Sequence, residues 1–239
     1  MTGDEKFVFG LHPHGVLSDY RILLDGVTGQ HFPKLRSWRA LAASVLFMFP
    51  VWREISLWSR CIDAGRETAQ YALDRGHSLF IVPGGEQEQA RRILGEHGKE
   101  VLYLKKRMGF VKLALRNGIP LVPVYVFGAN DVFRTSAFLR KVRLALVKRL
   151  RVALPLFWGR FGLPIPIEVP LRVVFGAPLS LGNGSGAKKA SNGAGGRALR
   201  EVSDEELREA HGAYMDALKR LFDDNKAKFG YADRELCIH

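Results

Sequence analysis

An α/β fold, a mixed sheet flanked by helices, is the architecture that this 239-residue sequence predicts, and three observations predict it. Short apolar segments alternate with amphipathic ones along most of the chain. Two of the apolar segments run straight into polar turns built on Gly and Pro, as buried strands do at their ends. A capping pattern, Ser203-Asp204-Glu205-Glu206, opens a long C-terminal helix.

Taken in order, Phe7-Val8-Phe9-Gly10-Leu11 reads as a short buried strand that ends in His12-Pro13-His14-Gly15. Residues 63 to 75 read as a helix, with Asp63 near its start and Gly76 beyond its end. The strand Ser78 to Val82 follows and ends in Pro83-Gly84-Gly85. A third unit repeats the logic: helix Gly109 to Asn117, with Phe110, Leu113 and Ala114 on one face, a stop at Gly118, then strand Leu121 to Phe127. Residues 182 to 196, rich in Gly, Ser, Ala and Asn, read as a flexible surface loop, and the last helix runs to about Lys228, before Gly230. No internal repeat is present, and the chain reads as one domain over residues 1–239. Ligands of such a fold bind beyond the carboxyl ends of parallel strands, where the two polar turns would meet.

A chain with 47% hydrophobic and 25% charged residues can bury a real core. Its 36 basic against 24 acidic residues leave +12, which calls for an anionic partner: nucleic acid, acidic lipid headgroups or a phosphorylated cofactor. Cys61 and Cys237 stand far apart, in neither a disulfide framework nor a zinc spacing. The first six residues carry acidic groups and no apolar stretch, unlike a signal peptide. The longest apolar run, Ala40 to Trp52, is 13 residues, short of the ~20 a membrane-spanning helix needs.

Chemistry-bearing residues gather at the two turns. His14 and Asp19 are spaced so that a carboxylate can reach back to one imidazole nitrogen and leave the other as a base, with the tautomer fixed and the imidazolium stabilised. His12 is a second candidate, one that could instead support the loop; a His-x-His turn can equally cap a strand. Pro83, Gly84 and Gly85, followed by Glu86 and Glu88, offer backbone N–H groups that side chains do not block, suited to an oxyanion or an acceptor hydroxyl.

Five segments, in order, carry a resemblance. Phe9-Gly10-Leu11-His12-Pro13-His14-Gly15, Val82-Pro83-Gly84-Gly85-Glu86-Gln87-Glu88 and Arg107-Met108-Gly109-Phe110-Val111-Lys112-Leu113-Ala114 come first. Leu121 to Asn130 and Leu154-Pro155-Leu156-Phe157-Trp158-Gly159-Arg160 complete the set. Together they are similar to the type 2 diacylglycerol acyltransferase family, which includes monoacylglycerol and wax-alcohol acyltransferases, and the similarity runs over nearly the whole chain. The hydrophobic N-terminal hairpin common in that family is not present here, and Asp19 restores the His-x4-Asp spacing of the broader glycerolipid acyltransferase group.

The resemblance implies a glycerolipid-acyltransferase-like sheet and direct transfer of a fatty acyl group from acyl-CoA to a neutral hydroxyl, foremost diacylglycerol. His14 would be the base, Asp19 its partner, and Gly15, the Pro83–Glu88 block, Arg107, Gly109, Phe110 and Lys112 would line the substrates. No bound cofactor or metal is expected; acyl-CoA is a co-substrate, whose phosphates Lys105, Lys106, Arg107, Lys112 and Arg116 could meet. Phosphate-acylating relatives place an arginine where this chain has Glu86 and Glu88, which favours an uncharged acceptor. The basic run Arg140 to Arg151, the apolar stretch Val152 to Ile167 and Ala40 to Trp52 could rest on a bilayer. A peripheral place on the cytosolic face of the endoplasmic reticulum or on a lipid droplet follows.

Two rivals remain. A metal-dependent hydrolase can also begin with His-x-His at a strand end, although His31, His77, His97 and His211 do not fall at further strand ends. A basic protein that binds a membrane without chemistry would satisfy the charge but leave both turns unexplained, and no nucleic-acid-binding pattern accompanies the +12.

Overall fold

Alternation of buried side chains across a parallel sheet organises the molecule. The structure is a computed structural model, and it describes residues 5–18, 20–21, 24–33, 35, 37–85, 88, 99–135, 157–180, 189–190 and 199–239. In chain order the strands are β1 (Val8–His12), β2 (Trp38–Ala42), β3 (Cys61–Asp63), β4 (Ser78–Ile81), β5 (Glu100–Leu102) and β6 (Leu121–Phe127). They continue with β7 (Arg134–Thr135), β8 (Phe157–Trp158), β9 (Arg172–Phe175), β10 (Lys189–Ala190), β11 (Leu199–Arg200) and β12 (Leu236–Ile238). The α-helices are α1 (Leu24–His31), α2 (Pro50–Trp58), α3 (Arg66–Asp74), α4 (Gly109–Asn117) and α5 (Asp204–Lys226).

Six strands form the main sheet in the order β3-β2-β4-β1-β6-β9. The first five are mutually parallel and β9 closes the edge antiparallel to β6, so the sheet is mixed. β1 is central and wholly buried, as is β6, which explains their unbroken apolar runs: a parallel strand is covered on both faces. On one face Val8, Leu79, Leu121, Tyr125 and Phe127 pack under α3, α4 and α5, through Ala69, Leu73, Phe110, Ala114, Tyr214, Leu218 and Phe222. On the other, Phe9, Leu11, Phe80, Val122, Val124 and Val126 pack with Leu24 of α1 and Trp38. The ring of Phe9 stacks on that of Phe80, with centroids 4.4 Å apart.

Local signals set most boundaries. Gly118 closes α4 in the left-handed conformation (φ 60°), and Ser203 caps α5 by accepting from the Glu206 N–H at 3.1 Å. Asp63 is a correction: it ends β3 rather than opening the helix, because Cys61–Asp63 pairs with Ala40–Ala42 of β2, and the helix begins at Arg66. The run Ala40 to Trp52 divides in three, the end of β2, a 3-10 turn over Ser44–Phe47 and the start of α2. Of the loop expected over 182–196, Lys189–Ala190 pairs with Leu199–Arg200; the remainder lies outside the described residues, as does the basic run Arg140 to Arg151. No helix among the described residues is long and apolar enough to cross a membrane.

Candidate active site

Register brings the two polar turns side by side. Gly10 of β1 faces Ile81 of β4, so His12 lies two residues further along, next to the Pro83 turn; on its other side His12 is paired with Tyr125 of β6. Both turns therefore leave the same edge of the sheet, at the carboxyl ends of adjacent parallel strands.

The loop after β1 is fixed at many points. Tyr20 Oη donates to the Pro13 carbonyl at 2.8 Å, and Ser18 Oγ donates to the His14 carbonyl at 2.8 Å. Arg21 reaches the Ser18 carbonyl at 3.0 Å and the Leu41 carbonyl at the end of β2 at 3.1 Å. Gly15 takes φ +64°, and a Cβ there would lie 3.1 Å from the Ala129 carbonyl oxygen, so glycine serves both the turn and the close approach.

The ring of His14, half-buried, presents Nδ1 to the Gly15 carbonyl at 3.1 Å and to Ser18 Oγ at 3.2 Å. Since the Ser18 proton is committed to the His14 carbonyl, both neighbours accept, and Nδ1 carries the hydrogen. That leaves Nε2 as the unprotonated nitrogen. Burial first, and Arg21 beside it, lower the His14 pKa to about 4 against the opposing pull of the Gly15 carbonyl, so the ring is neutral at pH 7. Asp19 lies outside the described residues.

Glu88 turns inward. It is buried, and Oε1 accepts the His14 backbone N–H at 2.5 Å while Oε2 accepts that of Tyr103 at 3.4 Å. Gly84 makes this possible: a Cβ there would stand 1.9 Å from Glu88 Oε2. Burial raises the Glu88 pKa to about 7, the two N–H donors oppose it, and the charge of Glu100 adds to it. Gly85 (φ +52°) faces open space, and Glu86 lies outside the described residues.

His12 is fully enclosed, with Nε2 2.9 Å from Tyr214 Oη of α5, and burial depresses its pKa to about 3. Of the segment 107–112, Phe110 packs edge-on against Tyr214 with centroids 5.0 Å apart. Arg107 is half-buried, whereas Lys105, Lys106, Lys112 and Arg116 are exposed around α4. Gly109 has nothing near its Cβ direction. Among the described residues no group of three His, Cys, Asp or Glu side chains converges as metal ligands would. His31 ends α1, His77 precedes β4, His211 lies within α5, and His97 is outside the described residues.

The sequence did not point to Ser18, Tyr214 or the Glu100 hub. Glu100, at the start of β5, is buried and accepts from Tyr125 Oη at 2.9 Å, Asn130 Nδ2 at 2.5 Å and the Arg234 guanidinium at 2.6 Å. Arg234 also bonds Asp131 at 3.1 Å, which takes Tyr231 Oη at 2.7 Å. The loop after β6 is thus tied to the segment before β12, which itself pairs with β5. A charged residue opening an apolar strand was the one available signal.

Comparison with known proteins adds the family. A model described as diacylglycerol acyltransferase matches residues 1–239. The chain belongs to the diacylglycerol acyltransferase family. Within it, the chain is 33% identical to 2-acylglycerol O-acyltransferase 3 of Homo sapiens, over 95% of this chain and 66% of that protein. It is 32% identical to diacylglycerol O-acyltransferase 1 of Eremothecium gossypii, over 98% of this chain and 50% of that protein. It is 31% identical to diacylglycerol O-acyltransferase 2 of Mus musculus, over 97% and 59%. The chain thus spans about half to two thirds of the length of these curated family members. No solved structure matches it.

Proposed function

We propose that this chain is an O-acyltransferase that moves a fatty acyl group from acyl-CoA to the free hydroxyl of diacylglycerol, giving triacylglycerol and free coenzyme A. The observation that carries the reading is the His14 ring, held by Gly15 and Ser18 in the tautomer whose Nε2 is a base, at a strand end beside the Pro-Gly-Gly turn. His14 Nε2 takes the proton of the acceptor hydroxyl as that oxygen attacks the thioester carbonyl. The tetrahedral oxyanion is stabilised by N–H groups of the Gly84–Gly85 turn. Its collapse breaks the C–S bond, and the imidazolium returns its proton to the departing thiolate. No covalent acyl-enzyme forms, so no serine nucleophile is needed.

Monoacylglycerol is the second acceptor, favoured by the likeness to a 2-acylglycerol O-acyltransferase. A glycerolipid-acyltransferase-like architecture, with basic residues around α4 receiving the coenzyme A phosphates, completes the reading. A bilayer or lipid-droplet surface is the site of action. Met48, Phe49, Val51, Trp52, Leu57 and Trp58 are all exposed on and before α2, while Ser56 of the same helix is buried; that inversion fits an apolar medium outside.

The test is acyl transfer by purified protein, with labelled acyl-CoA and diacylglycerol or monoacylglycerol in mixed micelles. Loss of general-base help costs roughly 10²–10⁴ in rate, so His14→Ala should retain about 1% of kcat or less. Wild-type protein that transfers to neither acceptor, or a His14→Ala variant near wild-type rate, overturns the reading.

A further inference from the structure

Gly10, His12, Phe110 and Tyr214 come from three distant parts of the chain and meet at one phenol oxygen. Tyr214 is completely buried in α5, in an apolar core where a hydroxyl is costly unless satisfied. It is satisfied twice: Oη donates to the Gly10 carbonyl at 3.2 Å and lies 2.9 Å from His12 Nε2. A phenol has a single proton. With that proton on Gly10, the phenol can only accept at His12, so Nε2 of His12 carries the hydrogen and Nδ1 the lone pair. His12 Nδ1 has no partner among the described residues, which agrees with an imidazole whose tautomer is chosen from the Nε2 side alone.

Gly10 reads as the complement of this hydroxyl. A Cβ at Gly10 would stand 2.0 Å from Tyr214 Oη, so the strand is bare where the phenol seats. Phe110 supports the ring from the side, edge-on at 5.0 Å. Two histidines separated by one residue are therefore held in opposite tautomers, Nδ1–H for His14 and Nε2–H for His12.

We infer that Tyr214 is a positioning residue of the acyl-transfer site: its hydroxyl, seated on Gly10, fixes the Nε2–H tautomer of His12 and so anchors the strand end from which the His14 loop departs. The inference rests on the acyltransferase reading for its kinetic consequence, but its structural content does not need it. His12 is thereby a donor at Nε2 and cannot serve as base through that nitrogen. Burial keeps its ring uncharged across the physiological range, so the anchor does not titrate away.

Two measurements test it. In ¹⁵N-histidine spectra of the full-length wild-type chain, with the His12 signals assigned by loss in His12→Gln, His12 should show a protonated Nε2 and an unprotonated Nδ1, unchanged down to about pH 5. A protonated Nδ1 overturns the inference whether or not the protein transfers acyl groups. In Tyr214→Phe, which keeps the ring against Phe110, kcat per folded enzyme should fall about tenfold with KM for acyl-CoA unchanged, and the His12 signals should shift toward a tautomer mixture. A variant with wild-type kcat and an unmoved His12 spectrum overturns it; reduced melting temperature with unchanged kcat marks Tyr214 as core packing only and also overturns it. Should Tyr214→Phe not fold, the wild-type spectrum alone decides. Wild-type protein with the expected spectrum and no acyl transfer would sink the enzymatic reading while leaving the tautomer assignment standing.

Discussion

Glu88 holds His14 by its backbone, not by its ring: Oε1 accepts the main-chain N–H at 2.5 Å, while Nδ1 is held from within the loop by Gly15 and Ser18. The carboxyl comes from the turn after β4 and the histidine from the turn after β1, so this hydrogen bond ties together two turns that the β1–β4 pairing already sets side by side. Glu88 thereby leaves the cleft. The argument that acidic groups here repel a phosphorylated acceptor now rests on Glu86 alone.

Glu88→Gln keeps an oxygen acceptor for His14 N and should retain most of the activity, within about threefold of wild type. Glu88→Ala leaves a buried N–H unpaired, which costs about 1–3 kcal/mol, and lets the two turns separate. We expect kcat to fall more than tenfold in the alanine variant. Steady-state kinetics on both variants, in parallel, tests the clamp.

The pH dependence of stability separates these groups. Glu88 is raised in the folded state, from 4.5 to about 7, so its stabilising contribution is present in acid and lost as pH rises across that interval. His14 and His12 are lowered, from 6.5 to about 4 and about 3, so their contribution is present above pH 6.5 and lost as pH falls toward those values. The opposing slopes partly cancel in the wild type between pH 4.5 and 6.5. In Glu88→Gln the histidine slope should emerge, and urea midpoints should fall more steeply on acidification than in the wild type.

Ser18→Ala removes one of the two acceptors of His14 Nδ1–H and leaves the Gly15 carbonyl. The tautomer then stays biased but less firmly held. A three- to tenfold loss of kcat, well short of that in His14→Ala, is the expected result in the acyl-transfer assay.

Arg234→Met strips the buried Glu100 of its cation while Tyr125 and Asn130 remain. A hydrogen bond to a charged group contributes about 1.5–3 kcal/mol, and each kcal/mol moves the melting temperature of a chain of this size by roughly 2–4 °C. Calorimetry should therefore show a drop of about 5 °C. The pair Glu100→Gln with Arg234→Met should lose less than the sum of the single changes, because the charge and its partner go together.

Much of this was legible from the sequence, and the reason is locality. Strand Leu121–Phe127 and helix Gly109–Asn117 were read to the residue, because a buried parallel strand shows an unbroken apolar run and Gly118 marks a helix stop within one turn. Asp63 misled because a carboxylate before a helical pattern resembles a cap; what placed it in β3 was pairing with β2, which no local pattern encodes. Asp63 Oδ1 does accept the Gly65 N–H at 2.7 Å, so the cap-like chemistry was present but one step outside the helix. Of the candidate site, both histidines and the glycine turn were visible as motifs. Tyr214 and Arg234 were not, since each meets its partner across more than a hundred residues and carries no signal of its own.

The connection to helix α2 leaves the end of β2 through the 3-10 turn, two strands from β1 along the same sheet edge, and Arg21 already spans that gap by binding the Leu41 carbonyl. Met48, 77% exposed, and Phe49 lie in the connection that leaves the carboxyl end of β2, the same sheet edge from which the His14 loop departs. If the proposed acyl transfer takes place at a lipid surface held by this segment, the protein meets its acceptor in two dimensions. Turnover should then track the mole fraction of acceptor within the lipid phase, and diluting the vesicles with inert phospholipid at constant total acceptor should slow the reaction.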